Sequence, residues 1–258
     1  MKKIASVALT AALVAAGVAA TTTTADAAAK YRVTLEVSAT HVVADQDELV
    51  LKGRVSPTPG PGSKVIVQLQ YEGKDTWKKI GTAKVNSKGK YTFTDEPSSN
   101  LERSYRVVKK GDGRAALGTS KERAVEVSAW EWLDARTTSA GENIVSTYSM
   151  PINGEDYPHT LYLDRTKDTG FIEWTLGRKC TELEATFGLS DRTATGGKGS
   201  VLVANDGTPV YSRVFNLGES ELRSISVENV YRLRIDMAQD ATTPDTEPSA
   251  GAARVLCD

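Results

Sequence analysis

From residue 31 onward the chain alternates apolar and polar positions in steps of two, and no long stretch keeps a 3.6-residue period. In the first half this pattern predicts strands over 31–38, 47–55, 64–71, 76–85, 89–94, 103–109 and 122–127. In the second half it predicts strands over 171–176, 181–189, 199–204, 209–215, 222–228, 231–237 and 253–257. Leu183, Ala185, Phe187 and Leu189 alternate with polar or small residues, and Leu233, Ile235 and Met237 oppose Arg232, Arg234 and Asp236. Each strand thus buries one face and wets the other, as in antiparallel sheets. The fold class expected is all-β.

Turn residues punctuate the strands. Pro57 to Gly62 and Asn86 to Gly89 separate strands in the first half, and Asn205-Asp206-Gly207 is a hairpin signal, because these residues accept positive φ. Seven short strands in about 100 residues are the spacing of a Greek-key sandwich. The run 128–145, SAWEWLDARTTSAGENIV, breaks the alternation, and a domain boundary is placed near 128–132. Trp130 and Trp132 lie two apart and share a face on an extended chain. Two readings stay open: a sugar-stacking pair, or a seal between two cores.

The N-terminus changes the compartment. Met1, Lys2 and Lys3 precede an apolar run from Ile4 to Ala20, and A-x-A tripeptides follow at 25–27 and 27–29. This reads as a secretory signal peptide over 1–29, cleaved near Ala27 or Ala29. The protein is then expected to be secreted, with no membrane insertion. Without that peptide, Lys plus Arg fall from 32 to 30 and Asp plus Glu from 33 to 32, a net charge of −2. Such a balance argues against nucleic acid as a partner, which calls for a basic face. Cys180 and Cys257 are the two cysteines, and in an exported chain the pair reads as a disulfide.

GLSDRTATGGKGSVLV, 188–203, has the look of a phosphate-cradling loop. Lys198 is followed by Gly199 rather than Ser or Thr, and a strand pattern follows where a nucleotide loop needs a helix. The stretch reads as strand, polar loop and strand.

Two resemblances sharpen the picture. VSPTPGPGSKVIVQLQYEGKDTWKKIGTAKVNSKGKYTFT and RSYRVVKKGDGRAALGTSKERAVEV are similar to bacterial immunoglobulin-like or fibronectin type III-like modules. That likeness covers about 31–128 and implies a core role for Trp77. EWTLGRKCTELEATFGLSD, GGKGSVLVANDGTPVYSRVFNLGES, SISVENVYRLRIDM and ARVLC resemble the NPCBM family of carbohydrate-binding modules, over about 135–258. Leu176-Gly177, Gly188, Asp191, Gly199-Ser200-Val201 and Asp206-Gly207 carry the match. The resemblance implies a jelly-roll β-sandwich, attachment to sugars such as galactose-bearing glycans and, in some members, a structural calcium. The full expectation is two antiparallel β-sandwich domains, 30–128 immunoglobulin-like and 129–258 jelly roll. The family's G-I-G-x-H-A segment is replaced here by INGEDYPHTLYLDRTKDTGFIEW.

Enzymatic readings find no support. His41 and His159 are the only histidines, neither in a catalytic motif, and His41 reads as a solvated turn residue. No catalytic residue is assigned and no cofactor is expected beyond that calcium, whose ligands the sequence does not name. Trp174 alternates in phase with Ile172 and Leu176 and is expected in the core. The candidate ligand residues are Tyr157, His159 and Tyr162, taken to cluster in a loop before the EWTL strand, with Asp191 and Arg192 at the start of the 191–199 loop. The partner expected is a polysaccharide or glycoconjugate. The alternative is a structural or protein-interaction module pair without sugar affinity.

Overall fold

The structure is a computed structural model that describes residues 29–243 and 245–258; all but the last residue of the expected signal peptide lies outside the described residues. The first ten strands are β1 (Arg32–Val33), β2 (Glu36–Val37), β3 (His41–Val43), β4 (Leu49–Ser56), β5 (Lys64–Tyr71), β6 (Lys78–Lys84), β7 (Lys90–Asp95), β8 (Arg103–Lys109), β9 (Gly118–Thr119) and β10 (Arg123–Trp132). A single 3-10 turn, Leu133–Ala135, follows. Ten more strands complete the chain: β11 (Ala140–Glu142), β12 (Ile144–Ile152), β13 (Glu155–Leu163), β14 (Thr169–Thr175), β15 (Cys180–Leu189), β16 (Lys198–Asn205), β17 (Thr208–Asn216), β18 (Ser220–Ser226), β19 (Arg232–Gln239) and β20 (Pro248–Cys257). The all-β architecture expected from the alternation is observed, its strand pairs antiparallel except for β3 with β10.

Two apolar cores form. One gathers Leu49, Leu51, Val65, Val67, Tyr105 and Val107 between the β1-β4-β2 sheet, with β7 on β4, and the β5-β6-β8-β10 strands. The other gathers Trp174, Phe187, Val201, Phe215, Leu233 and Ile235 between the β11-β14-β19-β16-β17 sheet and a second sheet built on β12, β13, β20, β15 and β18. Burial follows sequence parity: in β19, Leu233, Ile235 and Met237 are buried while Arg232 is exposed. Trp174 is fully buried, and its indole N–H donates to Leu133 O at 3.0 Å. The Asn205-Asp206-Gly207 signal is realised as the β16–β17 hairpin, with φ of 49° at Asp206 and 81° at Gly207.

The break read at 128–132 is not a break in the backbone. β10 runs through it as one strand: Arg123–Val125 pair with β8, Glu126–Ser128 with β3 in parallel, and Ala129–Trp132 with β20. His41 is corrected from a turn residue to the first residue of β3, 2.7 Å from Ser128 Oγ, whose hydroxyl also donates to the Asp258 carboxylate. Trp77 is corrected too. It is half-buried in the connection between β5 and β6, with the Arg106 guanidinium 4.1 Å from its ring centre, and takes no part in the core.

Cys180 and Cys257 are disulfide-bonded and stand opposite each other on the neighbouring strands β15 and β20. Among the described residues no helix is long and apolar enough to cross a membrane. Among the same residues no three His, Cys, Asp or Glu side chains are grouped to hold a metal ion.

Candidate functional site

Residues 144–163, to which the alternation assigned no strand, form a hairpin of β12 and β13 around Asn153-Gly154, both at positive φ (51° and 79°). This corrects the placement of Tyr157, His159 and Tyr162, which all lie on β13. The base of the hairpin joins the second sheet, where Leu161 and Tyr162 pair with Ala250 and Ser249 of β20. Its far half lies over the sheet's outer face. Ile152 bridges Ser190, and the ring of Tyr157 packs over Gly251. A Cβ at Gly251 would stand 2.6 Å from Tyr157 Cβ and 2.7 Å from its Cγ, so only glycine admits the hairpin there.

The expected residues separate on this frame. Asp191 lies beyond the hairpin tip, and its two carboxylate oxygens accept the backbone N–H groups of Asn153 at 2.8 Å and Gly154 at 2.9 Å. Arg192 is exposed beside it. Tyr157 and Tyr162 are half-buried along the strap. His159 alone reaches an aromatic group. At φ 49° it interrupts the strand's alternation and turns its ring onto Trp132, with centroids 4.5 Å apart and planes 12° from parallel. The two carboxylate oxygens of Asp134, on the 3-10 turn that follows β10, lie 3.0 and 2.9 Å from His159 Nδ1 and fix the ring.

Around this stack the register assembles a row that the sequence reading did not find, apart from the two tryptophans. Tyr148 of β12 lies between the pairs Thr147–Thr160 and Ser149–Pro158, and its ring meets that of His159 edge-on at 5.8 Å. Its side chain is 80% exposed. Trp132 pairs with Arg254 of β20, and Arg254 pairs with Glu184 of β15. The guanidinium of Arg254 lies 4.5 Å from the Trp130 ring centre and 5.8 Å from that of Trp132. Its Nε and Nη2 donate to Glu184 Oε1 at 2.9 and 2.6 Å. Glu182 and Ser224 extend the row, Ser224 Oγ donating to the Glu182 carboxylate.

Half-buried aromatic rings held by an ion pair can make CH–π and cation–π contacts and offer hydroxyl-reading groups at one edge. The opposite sandwich face is closed by comparison. There Arg234 covers Phe171 at 3.8 Å while bound to Asp236, and Arg232 pairs with Glu173. A groove of about 430 Å³ bounded by residues 70–75, 102–104 and 124–126 lies on the surface of the first half. Its carboxyl Glu102 is pushed up, chiefly by the charge of Glu72.

No protein-family model matches the chain, and no curated protein matches it. Among solved structures it is similar to the CBM51 from Clostridium perfringens GH95 in complex with methyl-galactose, at 14% identity and TM-score 0.42, covering 49% of this chain and 99% of that one. It is similar also to the CBM51-2 in complex with GlcNAc and INT domains from Clostridium perfringens ZmpB, at 9% identity and TM-score 0.40. That alignment covers 87% of this chain and 48% of the other. Another is the CBM51-2 and INT domains from the same ZmpB, at 9% identity and TM-score 0.40, over 60% of this chain and 37% of that one.

Proposed function

We propose that this is a secreted, non-catalytic glycan-binding protein, in which residues 129–258 form an NPCBM-like module that holds polysaccharide or glycoconjugate. Residues 30–128 then form an immunoglobulin-like spacer, and signal-peptide cleavage falls near Ala27 or Ala29. One observation carries the reading: Tyr148, 80% exposed, meets the edge of the His159–Trp132 stack at one end of a row that ends on the Arg254–Glu184 pair. An exposed planar ring suits the apolar face of a pyranose, and a donor–acceptor pair at the other end of the row suits hydroxyls.

The second reading, an interaction module pair without sugar affinity, is favoured by a different detail. His159 and Arg254 pack over the rings of Trp132 and Trp130 and cover much of their faces. The two readings separate on a glycan array and an insoluble-polysaccharide pull-down with the mature chain. Saturable retention lost in Tyr148→Ala supports the first. A folded chain retained on no glycan supports the second.

A further inference from the structure

Resting on that glycan-binding reading, we infer that the ligand is an uncharged glycan chain several rings long, lying across the strands from Tyr148 to Glu184, and not a single terminal sugar or an acidic polymer. Three observations lead there.

The first is shape. Tyr148, His159, Trp132, Arg254 and Glu184 form a chain of contacts: ring to ring from Tyr148 through His159 to Trp132, then by cross-strand register and hydrogen bonds to Arg254 and Glu184. Its successive contacts measure 5.8 Å from Tyr148 to His159, 4.5 Å from His159 to Trp132, 5.8 Å from Trp132 to the Arg254 guanidinium and 2.6 Å from Arg254 to Glu184, a path longer than one pyranose ring covers. No side chain of the row closes it into a pocket for a chain end; the exposed aromatic stands at one end and the ion pair at the other.

The second is the polar chemistry at the far end. Arg254 spends Nε and Nη2 on a single oxygen, Glu184 Oε1. Among the described residues its Nη1 and Glu184 Oε2 take no other hydrogen bond. A donor and an acceptor side by side on a fixed fork match two neighbouring hydroxyls, one accepting from the guanidinium and the next donating to the carboxylate. The pair is about 70% covered, with 29% and 28% of the side chains exposed, so its geometry is held before any ligand arrives.

The third is charge. Along the row Arg254 supplies one positive charge against the carboxylates of Glu184, Glu182 and Asp134, so acidic side chains outnumber it. Such a face repels uronate-bearing or sulfated chains and leaves neutral sugars unpenalised.

The test is calorimetry on the mature chain with uncharged oligosaccharides of one to five sugars, from whichever series the array selects, beside a uronate-bearing series of equal length. Affinity is expected to rise about tenfold or more between one and four sugars. Tyr148→Ala and Glu184→Gln are each expected to weaken the longest ligand about tenfold. Affinity that is already complete with one sugar, or that survives both substitutions, or that favours the uronate series, overturns the inference while leaving glycan binding in place. Retention of no glycan by the folded chain overturns the reading beneath it as well.

Discussion

His159 stacks on Trp132 because its own backbone is left-handed: φ of 49° in the middle of β13 turns the ring out of the strand's alternation, and Asp134 then fixes it within 3.0 Å of Nδ1. A non-glycine residue at positive φ costs free energy, which the stack and the carboxylate contact offset. The two side chains come from elements 27 positions apart, so the row's centre is a tertiary feature.

Trp132→Ala removes the ring on which His159 rests and leaves Arg254 stacked on Trp130 alone. The expected outcome is loss of glycan retention together with a stability loss of about 1–3 kcal/mol, since the ring is half-buried. Urea denaturation measures the second and the pull-down the first. Unchanged retention would remove the stack from the binding surface.

How much of this was legible in sequence depends on range. Strands with clean alternation were readable to within a few residues, as for 64–71 and 103–109, because burial on one face selects the pattern. The 144–163 hairpin was missed although Asn153-Gly154 is the same kind of signal as Asp206-Gly207, which was read correctly. Pro151 and Pro158 inside its two runs hid it, since proline argues against a strand except at an edge or an irregularity. His159 and the two tryptophans were visible as candidates. Arg254 and Glu184 were not, because register between strands 70 residues apart puts them beside Trp132.

The disulfide closes a long loop between neighbouring strands. With a separation of 77 residues, the chain-entropy model assigns it about 4.5 kcal/mol. Cys180→Ala/Cys257→Ala, or reduction, is expected to lower the urea midpoint by the corresponding amount and to free β20's last residues for hydrogen exchange. Thiol titration should find no reactive thiol in the native chain before reduction. An unchanged midpoint would show that β20 is held by its ladders alone.

Acid should weaken the fold through a definable set of carboxylates. The backbone N–H groups of Arg232 and Tyr231 hold the Asp206 carboxyl below its ordinary value, and the Thr242 hydroxyl and N–H do the same for Asp240. A carboxyl depressed in the folded state stabilises above its unfolded value and loses that contribution as pH falls through its folded one. Stability is therefore expected to decline below about pH 4, and Asp206→Asn to flatten part of that decline. Glu102 acts with the opposite sign. Glu72 raises it, so its charged form is disfavoured in the folded state at neutral pH. Glu102→Gln should raise the urea midpoint at pH 7 and change little at pH 3. A Glu102→Gln effect of equal size at both values would show that charge repulsion is not its origin.

Asp191, expected from sequence as a ligand contact, accepts both N–H groups at the hairpin tip, and that hairpin carries Tyr148 and His159. Asp191→Ala removes two charge-assisted hydrogen bonds, at a cost of about 1–2 kcal/mol for an exposed group. The more specific consequence is local. Gly154 N–H is bound to Asp191, which restrains that nitrogen from attacking the Asn153 side-chain carbonyl, the step that expels ammonia and closes a succinimide. In Asp191→Ala, hydrogen exchange should quicken over 151–156, and peptide mass spectrometry should find Asn153 deamidating faster than in the parent chain. Glycan affinity should fall several-fold with it, because the strap no longer holds Tyr148 in place. If affinity collapses while exchange and deamidation stay at parent rates, Asp191 touches the ligand directly and the sequence expectation was the better account.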